Sequence, residues 1–162
     1  MTQTPTLKAR AIAALARREF SRAQLARKLA PFAQSESEVQ EVLQTLEEKN
    51  LLSNQRFAES LSRQRARKYG TARIVAELQL QGVPEDIVRA QSAELKATEL
   101  QRAFEAWQKR FGLPPDSPKA RAQQMRFLLA RGFSSQVFYQ LASQGFAAPT
   151  APSSCVTKNP PC

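Results

Sequence analysis

The sequence GTARIVAELQLQGVPEDIV, residues 70–88, recurs in pattern fifty residues later as ARAQQMRFLLARGFSSQVF, residues 120–138. Each copy has an apolar stripe at helical spacing, a glycine, and then a second apolar pair. This order predicts a helix, a tight turn and a second helix. Chance likeness between two Ala- and Leu-rich helices is the alternative, and the shared glycine with its apolar neighbour argues against it. The positions that pair at this offset include Ala72 with Ala122, Leu78 with Leu128, Gly82 with Gly132, and Val88 with Phe138.

The same unit extends toward the N-terminus. At an offset of forty-nine residues, Leu25 and Leu29 correspond to Ile74 and Leu78. A further helix precedes each pair of helices, near residues 7, 56 and 101. We therefore predict an all-α fold in which tandem three-helix modules stack into an elongated curved array. The predicted modules are residues 1–53, 54–96 and 97–146. Residues 147–162, rich in Pro, Ser, Thr and Ala, are predicted to form a disordered tail.

Capping residues predict where several helices begin. Whether the helix over Leu95–Phe111 continues the preceding one is left open. Its aromatic stripe of Phe104, Trp107 and Phe111 is interpreted as core rather than as a base-stacking platform. The predicted first residues or caps are Thr4 with Pro5 at the first helical position, Ser21, Ser35, Asn54, Thr71, Ser117 and Ser134.

Composition excludes several kinds of active site. The 162 residues include no histidine, so catalytic triads with His and His-ligated metal sites are excluded. The two cysteines, Cys155 and Cys162, are too few for a structural zinc site and are interpreted as free thiols in the tail. No phosphate-binding or dinucleotide motif is present. We expect a protein that is not an enzyme and that needs no cofactor or metal.

Charge points instead to an anionic partner. The chain has 24 Lys and Arg against 14 Asp and Glu, a net charge of +10. The charge alternates along the chain: residues 1–30 hold seven basic and one acidic side chain (+6), residues 31–60 two and six (−4), and residues 61–80 five and one (+4). If equivalent helices share one face, the stripe would suit phosphates or an acidic protein groove. The candidate contact residues are Arg17, Arg18, Arg22, Arg27, Lys28, Arg63, Arg65, Arg67, Lys68, Arg73, Arg121, Arg126 and Arg131.

A simpler interpretation of each single arginine remains open. Solvated faces of amphipathic helices carry such residues, and their aliphatic stems cover apolar surface. Tyr69 and Tyr139 could stack on a base or simply pack within the fold. The chain also has no apolar run of membrane-spanning length and no signal-like segment at its start. A cytoplasmic protein that does not enter a membrane, and that is a monomer, is the expectation.

Three segments resemble the RecX family of regulators of the RecA recombinase. LARREFSRAQL at residues 15–25, followed by Lys28 and Leu29, is similar to that family's opening L-x-R-R-E-(Y/F)-S-x-x-E-L-x-x-K-L. LLSNQRFA at residues 51–58 is similar to Y-L-x-D-x-R-F-A, and residues 70–82 are similar to K-G-x-x-R-I-x-x-E-L-x-x-K-G-I. The departures are Gln24 for Glu, Leu51 for an aromatic residue, Asn54 for Asp and Gln81 for Lys.

The resemblance implies a function that composition could not name. It implies a protein that lies in the helical groove of the RecA filament on single-stranded DNA and restrains its ATPase, coprotease activity and strand exchange, in DNA repair, recombination and the SOS response. Weak contact with the DNA phosphate backbone would accompany this binding. The alternative function is a stand-alone DNA-binding protein with helix-turn-helix-like units.

Overall fold

A computed structural model of the protein describes residues 5–149, and over this range the chain is helical with no strand, which confirms the all-α prediction. One 3-10 turn, Ala30–Phe32, follows α2. The predictions for Thr4, Cys155, Cys162 and most of the tail fall outside the described residues. The helices are α1 (Leu7–Leu15), α2 (Arg22–Leu29), α3 (Glu36–Glu48), α4 (Asn54–Ala66), α5 (Thr71–Leu80), α6 (Glu85–Ala97), α7 (Glu99–Arg110), α8 (Pro118–Ala130) and α9 (Ser135–Ser143).

Serine hydroxyls cap four helices where the sequence predicts them. The side chains of Ser21, Ser35, Ser117 and Ser134 each accept a hydrogen bond from the backbone N–H three residues later, at 3.0–3.3 Å. Each bond satisfies one of the N–H groups that the first turn of a helix leaves without a partner. These helix starts are confirmed.

Two predicted starts are wrong. α1 begins at Leu7 and is capped by Thr6, whose hydroxyl accepts from the N–H of Ala9, so Pro5 lies before the helix rather than in its first turn. The buried stripe of α1 starts at Leu7, which sets this register. α4 is capped by Ser53 rather than Asn54. The Asn54 side chain instead accepts a hydrogen bond from the N–H of Arg22 at 2.9 Å, a partner that no local pattern indicates.

The question left open for residues 85–111 has a clear answer. α6 and α7 are separate helices, divided at Thr98, whose φ of −109° and ψ of 2° interrupt the helical path. The next residue, Glu99, is buried, and its carboxylate accepts a hydrogen bond from the N–H of Thr71 at 2.9 Å. It therefore caps α5, whose preceding residue is a glycine and has no side chain to do so.

Within the described range, the buried apolar side chains form three clusters along the chain. The first gathers residues of α1, α2 and α3, including Leu25, Leu43 and Leu46. The second draws on α4, α5 and α6, including Phe57, Ile74 and Leu78. The third draws on α7, α8 and α9 and includes Trp107. Each cluster therefore needs three helices to close it.

The fifty-residue repeat is visible in the turns. Gly82 and Gly132 both adopt left-handed backbone, with φ of 71° and 86°. In each turn the glycine N–H bonds back to the residue three before it, and the next N–H bonds back five residues, to Leu78 in one turn and Leu128 in the other. This is the Schellman ending that a glycine favours.

Neighbouring clusters are joined at equivalent positions by two hydrogen bonds, each donated to the carbonyl of the residue before a turn glycine. The turn after α5 packs on the start of α2: the Ser21 hydroxyl donates to the carbonyl of Gln81 at 2.6 Å. The turn after α8 packs on the start of α5: the Gly70 N–H donates to the carbonyl of Arg131 at 2.8 Å. Ser21 and Gly70 hold equivalent positions, as do Gln81 and Arg131. The junctions therefore repeat along with the helices.

Candidate functional site

A groove lies between α1 and the C-terminal end of α2, and its volume is about 620 Å³. We call it the α1–α2 groove. Its floor is aliphatic, and its rim is basic. Leu29 and Ala14, both buried, lie at the base of the groove. Its lining residues are Pro5, Ala9, Arg10, Ala13, Ala14, Arg17, Arg18, Phe20, Lys28, Leu29 and Phe32.

Two rim arginines are held against aromatic rings. The guanidinium of Arg10 lies 4.2 Å from the ring centroid of Phe32, and that of Arg18 lies 3.7 Å from the centroid of Phe20. These cation–π contacts limit the freedom of both arginines without neutralising their charge. Arg18 also donates to the side-chain oxygen of Gln24 at 3.4 Å. Arg10 and Phe32 were not among the sequence candidates, since their pairing depends on the 3-10 turn that follows α2.

Two of the predicted contact residues have carboxylate partners within the chain. Arg22 forms an ion pair with Glu47 and donates to Gln40 at 2.6 Å. Arg65 donates to the Glu77 carboxylate from two nitrogens, Nε and Nη2, at 2.7–3.1 Å. The hydrogen bond and the charge of Glu77 raise the pKa of Arg65. Both arginines connect helices, α2 to α3 and α4 to α5.

A second set of cations gathers where the second cluster meets the third. Arg73 stacks over Tyr69 at 4.1 Å, and Arg131 stacks over Phe127 at 4.1 Å. Gly132 lies directly against the backbone of Arg73, so the two arginines come from neighbouring parts of adjacent modules. Tyr69 is thus half-buried beneath an arginine, and packing accounts for it.

Two further candidates lie beside polar side chains of neighbouring helices or turns. Arg27 is within 3.4 Å of the side-chain oxygen of Gln81, at the first junction. Arg63 borders a small polar pocket together with Glu59 and Glu94, which offset its charge locally. A single face that collects all thirteen cations stays a prediction. The exposed members are Arg17, Arg18, Arg27, Lys28, Arg63, Arg67, Lys68, Arg73, Arg121 and Arg126.

Sequence reasoning missed a half-buried cation, Arg102. Arg102 on α7 donates to the backbone carbonyls of Tyr69 at 2.6 Å and Leu95 at 2.8 Å. It therefore links α7 both to the segment after α4 and to α6. Burial lowers the pKa of Arg102. Its partners are backbone carbonyls, one of them 33 positions away and the other in the last turn of α6, and backbone groups leave no signal in a pattern of side chains.

The aromatic stripe of α7 is core, as the sequence predicts. Trp107 is buried, donates from Nε1 to the side-chain oxygen of Gln124 at 2.8 Å, and stacks on Phe146 at 4.7 Å between ring centroids. Phe104 is also buried, whereas Phe111 is half-buried against the same cluster. Tyr139 is exposed, beside Phe138.

Among residues 5–149, no helix combines the length and apolar character that crossing a bilayer requires. Over the same range, no group of three or more Cys, Asp or Glu side chains is arranged to hold a metal ion.

Comparison with known proteins gives one consistent result. Residues 53–90 match the family model of the second three-helix domain of RecX, and residues 97–142 match that of the third. The regulatory protein RecX of Ralstonia nicotianae is 50% identical over 135 residues, covering 83% of this chain and 85% of its own. The regulatory protein RecX of Leptothrix cholodnii is 46% identical over 136 residues, covering 84% and 87%.

A solved structure shares the fold. The crystal structure of RecX from Lactobacillus salivarius aligns with a TM-score of 0.71 at 19% identity and covers 86% of this chain and 94% of that one. At this identity the likeness concerns the fold alone. Together with the matched three-helix domains, it confirms that the chain is a helical repeat array.

Proposed function

The chain belongs to the RecX family of regulatory proteins, and on that premise we propose that it inhibits the RecA recombinase by binding in the groove of the RecA–DNA filament. In this proposal the protein is not an enzyme: it acts by occupying the groove and restraining ATP hydrolysis and strand exchange. It would do so in the cytoplasm, as a monomer. The observation that carries the proposal is the recurrence of exposed cations on successive repeats.

The division into modules belongs to the same proposal. We place the modules at residues 1–53, 54–96 and 97–146, each containing one of the three apolar clusters. A filament presents the same subunit surface at regular intervals, and a repeated protein can meet successive subunits with equivalent parts. Exposed arginines at the first groove and at the second junction would then contact acidic groove walls or DNA phosphates.

The test is the DNA-dependent ATPase of RecA on single-stranded DNA, with and without this protein. The variant carries Arg17→Glu, Arg18→Glu, Arg67→Glu and Lys68→Glu, all at exposed positions. Four exchanges of two charge units each take the net charge from +10 to +2. We expect the concentration of protein needed to inhibit the ATPase to rise at least about tenfold, because the variant reverses the charges that would contact the filament.

A matched control separates position from net charge. Arg89→Glu, Lys96→Glu, Lys109→Glu and Arg110→Glu lower the charge equally at exposed positions outside the candidate set. This control should inhibit like the native chain. Circular dichroism checks that the first variant is folded. If the folded variant then inhibits as well as the native chain, these four cations do not contact the filament. Inhibition by neither the native chain nor the control would refute action on RecA.

Stand-alone DNA binding is the second candidate function, favoured by the same arginines. It predicts binding to DNA without RecA, with an affinity that falls steeply as salt rises, because each phosphate contact releases counterions. Fluorescence anisotropy of labelled DNA across a salt series measures this. Binding to RecA with no binding to DNA at low salt would eliminate it.

A further inference from the structure

We propose that the α1–α2 groove binds an acidic amphipathic protein segment, with an apolar side chain on the aliphatic floor and carboxylates at the basic rim. This inference concerns the chemistry of the partner and stands whether or not that partner is RecA. It differs from a general basic face because it needs a cavity, an apolar floor and charges in one place.

The floor suits an aliphatic or aromatic side chain. It is made by the small residues Ala9, Ala13 and Ala14 on one side of α1, with Leu29 of α2 behind them. Small side chains let the backbone of an incoming segment approach α1 closely. Helix-in-groove recognition relies on this arrangement, in which a few apolar anchors enter a hydrophobic trough.

The rim selects for negative charge. Four cations border the groove, namely Arg10, Arg17, Arg18 and Lys28, and none of its lining residues is acidic. The nearby carboxylate of Glu19 is engaged elsewhere, since it accepts a hydrogen bond from Arg56 at 3.0 Å. Carboxylates of a bound segment would therefore meet cations without competing acids.

The aromatic residues argue against a nucleobase as the occupant. Phe32 is 56% exposed, but Arg10 lies over its ring at 4.2 Å. Phe20 is buried, and Arg18 covers its ring. A base needs an open aromatic face on which to stack. In this groove a guanidinium group covers one face of each ring, and the floor itself is aliphatic, so an aliphatic anchor fits the floor better.

The chain's own C-terminal segment lacks the matching chemistry. Residues 147–162 contain Lys158 and no Asp or Glu, so their side chains share the sign of the rim. An acidic segment of another protein is the occupant that charge complementarity favours.

The test uses a fluorescein-labelled twelve-residue peptide of Glu and Asp with Leu at its fourth, fifth and eighth positions, titrated with the full chain. Ala13→Glu narrows the floor and adds a negative charge at an exposed site. We expect it to weaken binding about tenfold, and Arg17→Ala with Lys28→Ala to weaken it about fivefold. The matched control, Arg89→Ala with Lys96→Ala, changes the same net charge and should leave binding unchanged.

Two further arms decide the nature of the occupant. A peptide with Ser in place of each Leu should bind at least fivefold more weakly, as an apolar anchor requires. Equal binding of the Leu and Ser peptides, or of the native chain and both groove variants, would overturn the proposal. Displacement of the peptide by a short oligothymidylate at a lower concentration than by unlabelled peptide would also overturn it. No arm contains RecA, so failure here is distinct from failure of the proposed function.

Discussion

Gly70 and Gly132 meet backbone to backbone where the second cluster joins the third. A Cβ atom added to Gly70 would overlap the carbonyl group of Gly132, and the Gly70 N–H donates to the neighbouring carbonyl of Arg131 at 2.8 Å. A Cβ atom added to Gly132 would overlap Arg73, so neither glycine has room for a side chain. The contact fixes the position of one three-helix unit relative to the next.

Gly70→Ala tests this contact. Gly70 has ordinary extended backbone, with φ of −75°, so alanine strains only the contact and not the chain itself. We expect a loss of about 1–3 kcal/mol in the free energy of unfolding, the usual range for overpacking. Chemical denaturation followed by far-ultraviolet circular dichroism measures it.

The control for this exchange is Gly145→Ala. Gly145 has a φ of 63° and open space around its Cβ position, so alanine there costs backbone strain alone, about 1 kcal/mol. The chain's single tryptophan, Trp107, reports on the third cluster. In Gly70→Ala its fluorescence transition should separate from the circular dichroism transition, and coincident transitions with native stability would contradict the role of the junction.

Ser21→Ala should cost more than loss of a helix cap. The Ser21 hydroxyl is fully buried, accepts from the N–H of Gln24 at 3.0 Å and donates to the carbonyl of Gln81 at 2.6 Å. Alanine leaves the Gln24 N–H and the Gln81 carbonyl without the hydroxyl, and we expect the free energy of unfolding to fall by about 2–4 kcal/mol. Ser134→Ala removes a cap alone and should cost about 1 kcal/mol. Equal losses in thermal unfolding would show that the bond to Gln81 contributes nothing.

Arg102→Met should destabilise the fold, because the carbonyls of Tyr69 and Leu95 lose a charged donor. We expect a loss of roughly 2–4 kcal/mol. Arg102→Lys keeps the charge but not the planar fork, so it should recover only part of the loss. Urea unfolding compares the two with Arg89→Met, an exchange at an exposed site that should be near neutral. If Arg102→Met unfolds at the same urea concentration as the native chain, the hydrogen bonds from Arg102 do not stabilise the fold.

Gln124→Leu should weaken the third cluster selectively. The Trp107 indole N–H would remain buried without its acceptor, at a cost of about 1–3 kcal/mol. The neighbouring Gln123→Leu, at an exposed position, serves as the control. Tryptophan emission under denaturant measures both. An unchanged Gln124→Leu midpoint would mean that another group satisfies the indole.

Patterns within one helix were readable from the sequence, and contacts between distant segments were not. The caps at Ser21, Ser35, Ser117 and Ser134 depend on residues three apart, and all four are confirmed. The placement failed where two adjacent residues could both cap, as at Ser53 and Asn54. There the choice depends on Arg22, 32 positions away.

The candidate site was partly readable for the same reason. Charge alternation along the chain identified Arg17, Arg18 and Lys28, which share a groove. It also selected Arg22 and Arg65, because composition cannot distinguish an exposed cation from one paired with Glu47 or Glu77. Arg10 was missed because its neighbour across the groove, Phe32, lies on a 3-10 turn 22 positions further along the chain.

The two junctions have a consequence for how such a chain can grow. The middle unit offers one glycine turn to the unit before it and one helix start to the unit after it, and equivalent positions meet at both junctions. A duplicated middle unit would find a matching surface on both sides. Lengthening by gene duplication would therefore extend the array without any new junction having to evolve.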